Sequence, residues 1–161
     1  MDDLPTERLI YLLRHGDGET QVEAARALAG RGAEPEAHVA LYEATFAADA
    51  RIRAVAAPAL IARADDRTLI RLADLLSDRR QEVRRAAAEA MRDLGDPAAT
   101  LPLLDALADS NRWLVLAAVE GLERFGTAAA RPALRKLAAG RDWGISQAAR
   151  RALAAVEGRQ S

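Results

Sequence analysis

Residues 20–28 read TQVEAARAL, and this stretch decides the fold because the chain repeats its pattern four more times. The later copies start 31 or 32 residues apart and read IRAVAAPAL at 52–60, VRRAAAEAM at 83–91, LVLAAVEGL at 114–122 and ISQAARRAL at 145–153. The fifth position is always alanine, and the ninth is always leucine or methionine. A period of this length indicates stacked supersecondary units, so the chain is expected to be an interaction surface.

Each copy is interpreted as the second helix of a pair, and a column of leucines marks the first helix. That column consists of Leu9, Leu41, Leu72, Leu103 and Leu134. Further apolar residues follow three or four positions later, which is the spacing of one helical face. The sequence therefore predicts an all-α, right-handed α-solenoid of five antiparallel helix pairs. It would form a single domain over 1–161, with repeats at about 4–32, 36–64, 66–95, 97–126 and 128–157 and a frayed tail at 158–161.

This pattern resembles the HEAT-like repeats of the phycobilisome-lyase type. Residues 95–104, GDPAATLPLL, are similar to the family's linker and first helix, and residues 78–91 are similar to its turn and second helix. The resemblance covers nearly the whole chain and implies an α-solenoid. It implies no single activity, because this scaffold hosts adaptors, chromophore lyases, a hydroxylase and DNA glycosylases.

Composition excludes several classes of protein. Half of the residues are apolar and 29% are charged, which argues against a disordered chain. The formal net charge of −1 gives no global attraction to nucleic acid. Cysteine is absent, which excludes disulfides and thiolate metal sites. No signal peptide or membrane-spanning run is evident, so a soluble cytoplasmic protein is expected.

Catalytic groups are scarce. His15 lies in a turn and His38 near the start of a helix, too far apart to act as a pair. The four serines have no recognisable His and Asp partners, and there is no phosphate-binding glycine loop. We therefore expect no enzymatic activity, no cofactor and no metal site.

A basic strip is the first candidate binding surface. Arg53, Arg84, Arg85 and Arg92 occupy the second, third or tenth positions of the second and third copies, which are expected to face outward on a concave surface. The strip would suit an acidic peptide or, less favourably, a phosphate backbone. The alternative is a solvated, ion-paired face, because glutamates lie three or four residues away or on the next repeat. The resemblance adds that Arg84 matches a position often used for stacking between repeats.

The fourth repeat offers a second candidate surface. Its expected outward positions are apolar, at Val115, Leu116 and Val119, with Trp113 just before them and Trp143 at nearly the same place in the next repeat. Tryptophan is enriched at binding hot spots, and an apolar patch with a polar rim marks a contact surface. The alternative is that both indoles fill gaps between repeats.

Two features of the first half depart from the pattern. Ile10 and the exposed Tyr11 could form a weak homodimer contact or pack under the N-terminal residues. Pro58 lies within a second helix, so a bend or break is expected near residues 54–58.

The leading hypothesis is a non-catalytic adaptor that binds a protein partner on its concave face and turn edge. One alternative is a relative of the chromophore lyases, with a tetrapyrrole or other planar ligand in the groove. A weaker alternative is a nucleic-acid binder that uses the strip from Arg53 to Arg92.

Overall fold

The computed structural model describes Met1 and residues 3–159 of the chain. These residues form ten α-helices and three short 3₁₀ helices, with no β-strand among them, which confirms the predicted all-α class. The α-helices are α1 (Thr6–His15), α2 (Gly18–Ala29), α3 (Pro35–Ala44), α4 (Ala50–Ala59), α5 (Asp66–Leu75), α6 (Gln81–Leu94), α7 (Thr100–Ala106), α8 (Arg112–Phe125), α9 (Arg131–Ala138) and α10 (Trp143–Gly158). The 3₁₀ helices adjoin α4, α7 and α9 and span Leu60–Arg63, Pro97–Ala99 and Ala128–Ala130.

The chain divides into two compact units, Met1–Ala90 and Met91–Ser161. In the first unit, α1 packs against α2 and α3 against α4, while α1 also contacts α3 and α2 contacts α4. In the second unit, α7 packs against α8, α9 against α10, and α8 against α10. Short turns join the helices of each pair, which makes them antiparallel. The grouping of all residues into one domain of five repeats remains a prediction.

Polar caps begin most of the second helices. The side chains of Asp17, Asp49, Asn111 and Asp142 each accept a hydrogen bond from a backbone N–H in the first turn. Such caps stabilise a helix by about 1 kcal/mol each, because the first N–H groups have no partner within the helix. The segments that follow are rich in alanine, which has the highest helix propensity of any residue type.

The two columns read from the sequence form the interior. All five leucines of the first-helix column are fully buried, and so is the alanine at the fifth position of every copy: Ala24, Ala56, Ala87, Ala118 and Ala149. Burial of each leucine side chain is favourable by about 2 kcal/mol. Alanine leaves the second helices room to approach their neighbours. These columns therefore explain the stacking of the repeats.

The α-helix that contains Pro58 ends close to the bend or break expected near residues 54–58. α4 runs through residues 54–58 and ends at Ala59, and Leu60–Arg63 then form a 3₁₀ helix. Because proline has no N–H, the hydrogen bond from residue 58 to the carbonyl of Ala54 is missing. α4 has 10 residues, whereas α8 has 14.

The tail at 158–161 stays predicted to fray, and the structure describes its first two residues. Gly158 is the last residue of α10. The Arg159 guanidinium donates hydrogen bonds to the carbonyls of Leu122, Glu123 and Gly126 at 3.2, 2.7 and 3.1 Å. Residues 160 and 161 lie outside the described part of the chain.

Candidate functional site

Arg53 is held within its own unit. Its guanidinium makes two parallel hydrogen bonds to the carboxylate of Asp78, from Nε to Oδ2 at 2.8 Å and from Nη2 to Oδ1 at 2.9 Å. Nη1 donates to the carbonyls of Ala47 and Ala48 at 2.7 and 2.8 Å. The Arg53 and Asp78 side chains are only 14% and 12% exposed. Because every guanidinium nitrogen has a partner, Arg53 joins two turns and has little left to offer a ligand.

The second position of the repeated phrase has the same structural role in three copies. Arg53 and Arg84 each donate to a carbonyl six residues earlier, and for Arg84 this is Asp78 at 2.9 Å. Ser146 occupies the same column, and its hydroxyl donates to the carbonyl of Ala138 at 2.6 Å. This column therefore closes the turn between the two helices of a pair. These hydrogen bonds give Arg53 and Arg84 a structural role, which leaves less of either guanidinium available for the predicted basic strip.

The two remaining arginines of the strip are also ion-paired. Arg85 lies one helical turn before Glu89, with its Nε 3.6 Å from the carboxylate. Arg92 contacts Asp93 at 2.8 Å and Glu120 at 2.9 Å. Arg85 is nevertheless exposed and is the member of the strip most accessible to a partner.

Val115 and Val119 are buried, which corrects the prediction that they face outward. Their exposed fractions are 4% and 0%. α8 packs against both α7 and α10, so the second and sixth positions of its phrase face neighbouring side chains instead of solvent. Leu116 is half-buried and remains partly accessible. The predicted apolar patch is thus reduced to Leu116 and the two tryptophans.

Trp113 and Trp143 lie in the first turns of two consecutive second helices, α8 and α10. They are 59% and 78% exposed, so they do not fill gaps between repeats. The backbone N–H of Trp113 donates to Oδ1 of its N-cap residue Asn111 at 2.9 Å, which fixes the start of α8. Large apolar side chains left in water on an ordered helix are typical of contact surfaces.

An ion pair connects the turns that carry these tryptophans. Arg112 donates from Nε to the Asp142 carboxylate at 2.8 Å, and its guanidinium lies 5.4 Å from the centre of the Trp113 ring. The hydrogen bond from Arg112 lowers the pKa of the Asp142 carboxyl, which therefore stays ionised near neutral pH. A Cβ at Gly144 would collide with the Arg112 guanidinium, so glycine leaves space for the pair. We call Arg112, Trp113, Asp142 and Trp143 the tryptophan edge.

The pair between Arg112 and Asp142 was not predicted from the sequence. Asp142 and Asn111 both lie three residues before their copy of the phrase, and Arg112 follows Asn111 directly. Opposite charges in neighbouring columns of two consecutive copies were therefore the available signal. The distance between the two side chains depends on how the repeats stack, and the sequence alone does not give that packing.

Tyr11 is exposed as predicted, and its ring lies 4.8 Å from that of His15 and 5.1 Å from the Arg8 guanidinium. Ile10 is half-buried against the core of the first unit. Tyr11 is therefore more accessible to a second copy than Ile10, and the homodimer contact stays a prediction.

Two general features of the described residues bear on chemistry. None of their groups of histidines and carboxylates is arranged to hold a metal ion. Over the same residues, every helix is too short or too polar to cross a membrane.

The chain was compared with known families and curated proteins. Two overlapping segments, residues 6–92 and 71–154, match the family model described as HEAT repeats. Together they cover nearly the whole chain. The search of curated proteins finds no match.

Solved structures share the fold. A chain from the complex of CpcE and CpcF of phycocyanin lyase from Nostoc sp. PCC7120 is 24% identical with a TM-score of 0.82, over 97% of this chain and 66% of that one. A designed armadillo repeat protein in complex with the peptide (KR)4 is 21% identical with a TM-score of 0.74, over 92% and 80%. An engineered protein is 25% identical with a TM-score of 0.66, over 95% and 79%. These similarities confirm the predicted solenoid class, which is typical of binding scaffolds.

Proposed function

This chain belongs to the HEAT repeat family. On that premise we propose that it is a non-catalytic scaffold that binds a protein partner at the tryptophan edge. The exposure of Trp113 and Trp143 on adjacent helix starts is the observation that carries this proposal. Each indole presents a large, rigid apolar surface that loses little conformational entropy when a partner covers it. A partner that buries both would gain two hot-spot contacts.

The pair between Arg112 and Asp142 supports the same proposal. It links the starts of α8 and α10 and places a guanidinium beside the Trp113 ring. Charged groups around apolar anchors form the polar rim that interfaces commonly have. Of the other predicted contact residues, Leu116 on α8 and, in the unit Met1–Ala90, Arg85 on α6 have side chains that a partner can reach, so each is kept as a separate secondary contact.

Similar folds are known in complexes. The CpcE and CpcF chains form a complex with each other, and the designed armadillo repeat protein holds a peptide. Repeat proteins of this type therefore bind protein partners, which supports a protein ligand for this chain as well.

The test is affinity capture from the native cell with the full chain as bait, followed by mass spectrometry. A double variant, Trp113→Ala with Trp143→Ala, should lose the captured partner. The matched control is Leu101→Ala, because Leu101 is another exposed apolar residue of the same unit. This control should capture the partner as the wild type does. Equal capture by the double tryptophan variant would contradict the proposal.

A planar ligand is the second candidate. The similarity in fold to a phycocyanin lyase chain is the observation that favours it. Purified protein would then show a visible absorption band, and a colourless preparation would argue against this alternative.

A further inference from the structure

A second surface lies in the unit Met1–Ala90, away from the tryptophan edge. The exposed side of α3 and the segment that leads into α5 line an open cleft of about 790 Å³. Its lining residues combine apolar, aromatic and basic side chains: His38, Val39, Tyr42, Phe46, Arg63 and Arg67. Val39 and Phe46 are exposed, with 61% of Phe46 in solvent. A volume of this size is typical of binding sites.

Two arginines hold the aromatic wall of the cleft in place. The Arg71 guanidinium lies 3.6 Å from the centre of the Phe46 ring, and its Nε donates to Thr45 Oγ1 at 2.8 Å. The centre of the Tyr42 ring is 5.8 Å from that of Phe46, and the Arg67 guanidinium lies 5.1 Å from the centre of the Tyr42 ring. Stacking between cations and rings fixes the ring planes while most of the Phe46 surface stays open. The wall is therefore ordered before anything binds.

Two acidic and two basic side chains line the cleft: Glu43, Asp65, Arg63 and Arg67. Glu43 is paired with Arg14 at 2.8 Å, and the Asp65 carboxylate accepts the backbone N–H of Thr68 at 2.8 Å as the cap of α5. The Glu43 charge is thus balanced by Arg14, whereas Asp65 keeps its charge near Arg67.

Arg63 and Arg67, in contrast, form no ion pair with any carboxylate in residues 3–159. Arg63 donates a single long hydrogen bond, to the carbonyl of Ala33 at 3.3 Å. Arg67 contacts the Tyr42 ring. A guanidinium that stacks on a ring keeps its N–H edge available for a carboxylate, which it can bind with two hydrogen bonds.

His38 adds a polar group with unused hydrogen-bonding capacity. Its Nδ1 atom is buried and has no hydrogen-bond partner among the described residues. Burial lowers the pKa of His38, so the ring is neutral near pH 7. Native proteins leave few buried polar atoms unpaired, so Nδ1 of His38 is unusual among the side chains that line the cleft.

We propose that this cleft binds an extended segment of a partner protein that presents a carboxylate side chain close to an aromatic or large aliphatic one. The carboxylate would bind Arg63 and Arg67, and the apolar side chain would cover Phe46 and Val39. From His38 on α3 to Phe46, two residues beyond the end of α3, the span is about 12 Å at the rise of a helix, the length of about four extended residues. The cleft is open along this length, as a peptide requires. This site is independent of the tryptophan edge.

The test selects peptides from a random octapeptide phage library on the immobilised full chain. Enriched sequences should carry Asp or Glu within about four positions of an aromatic or large aliphatic residue. The most enriched peptide, synthesised with a fluorescein label, should bind at least tenfold more weakly to the double variant Arg63→Glu with Arg67→Glu, and to Phe46→Ala. The matched control Arg26→Glu changes an exposed arginine on α2 of the same unit and should bind normally. Circular dichroism would verify that each variant is folded.

Several outcomes would overturn the proposal. One is the absence of enriched peptides, and another is enrichment without acidic residues. Equal binding to the charge-reversed variant would also overturn it. Competition by free 2-naphthoate at the same concentration as the peptide would do so too, because the site would then bind small aromatic acids. The variant Trp113→Ala with Trp143→Ala should bind the peptide normally. Loss of binding there would place the peptide on the tryptophan edge and reject this site while leaving the proposed function intact.

Discussion

The first turn of a second helix is built from charged residues in one unit and from tryptophan in the other. Glu19, Arg51 and Glu82 occupy the position just before the repeated phrase in the first three copies, and Trp113 occupies it in the fourth. Arg51 binds Glu19 at 2.8 Å, across two consecutive turns. In the second unit the link between turns is made by Arg112 and Asp142 instead, which leaves the indoles in water.

This difference shows which surface features remain available to a partner. Charged side chains at the turns of Met1–Ala90 form ion pairs with one another. Arg53 and Asp78 form the most complete of these pairs, with two parallel hydrogen bonds. Trp113 and Trp143 stay largely exposed even though Arg112 lies beside the Trp113 ring, and burial against another molecule would remove both indoles from water. A basic cluster in a repeat sequence is therefore weaker evidence of a binding site than an exposed tryptophan.

The largest expected effect tests whether the apolar fourth repeat is core or surface. Val119→Asp would bury an uncompensated carboxylate at a fully buried position, so we expect the free energy of unfolding to fall by about 4 kcal/mol or more. Leu116→Asp, at a half-buried position, should cost about 1 kcal/mol. Urea unfolding followed by circular dichroism measures both. A stable Val119→Asp variant that loses its partner would restore the outward orientation predicted from the sequence.

The second prediction concerns the charged side chains that pair within the chain, above all Arg53 with Asp78. Arg53→Ala leaves the Asp78 carboxylate nearly buried without its partner, and we expect a loss of about 3 kcal/mol in the free energy of unfolding. Arg85→Ala removes only an exposed pair one helical turn apart and should cost about 0.5 kcal/mol or less. Equal costs in urea unfolding would mean that Arg53 is not a structural residue.

The same pair predicts a dependence on pH. The hydrogen bonds from Arg53 lower the pKa of Asp78 in the folded state. Asp78 therefore contributes stability that is fully present above its unfolded pKa of about 4 and is lost as the pH falls through the folded pKa. Urea midpoints measured at neutral pH and at successively lower pH should fall more steeply for the wild type than for Arg53→Ala. Parallel curves would exclude Asp78 as a contributor.

The smallest expected effect comes from the tryptophan edge itself. Arg112→Ala removes an exposed pair and should change the free energy of unfolding by about 1 kcal/mol at most. Partner affinity should fall by roughly three- to tenfold, because the rim of the interface loses a charge and the Trp113 ring loses its neighbouring guanidinium. Titration calorimetry with the captured partner would measure this. An unchanged affinity would remove Arg112 from the interface.

The interior was predictable from the sequence, whereas the surface was predictable only in part. The leucine and alanine columns recur with the period of the repeat, so their burial follows from pattern alone. The outward positions were misassigned at Val115 and Val119 because a stacked second helix has neighbours on more than one side. The pair between Arg53 and Asp78 joins residues 25 positions apart, which only the packing of the repeats brings together.

The cleft beside α3 shows a similar limit. Its aromatic residues Tyr42, on α3, and Phe46, just beyond the end of α3, lie four positions apart, a spacing visible in the sequence. The positions of Arg63 and Arg67 opposite them depend on the early end of α4 and the 3₁₀ helix after it. Pro58 indicates a disturbance of the helix in the sequence, but it does not predict the course of the chain after it.

The central claim is that the tryptophan edge is open in the free protein and covered by the partner. Trp113 and Trp143 are the two tryptophans of the chain, so its tryptophan fluorescence reports on this edge alone. Acrylamide quenching should approach that of free N-acetyl-tryptophanamide in the unbound protein and fall strongly once the partner is saturating. Indoles already shielded in the free protein, or quenching that the partner leaves unchanged, would contradict the claim.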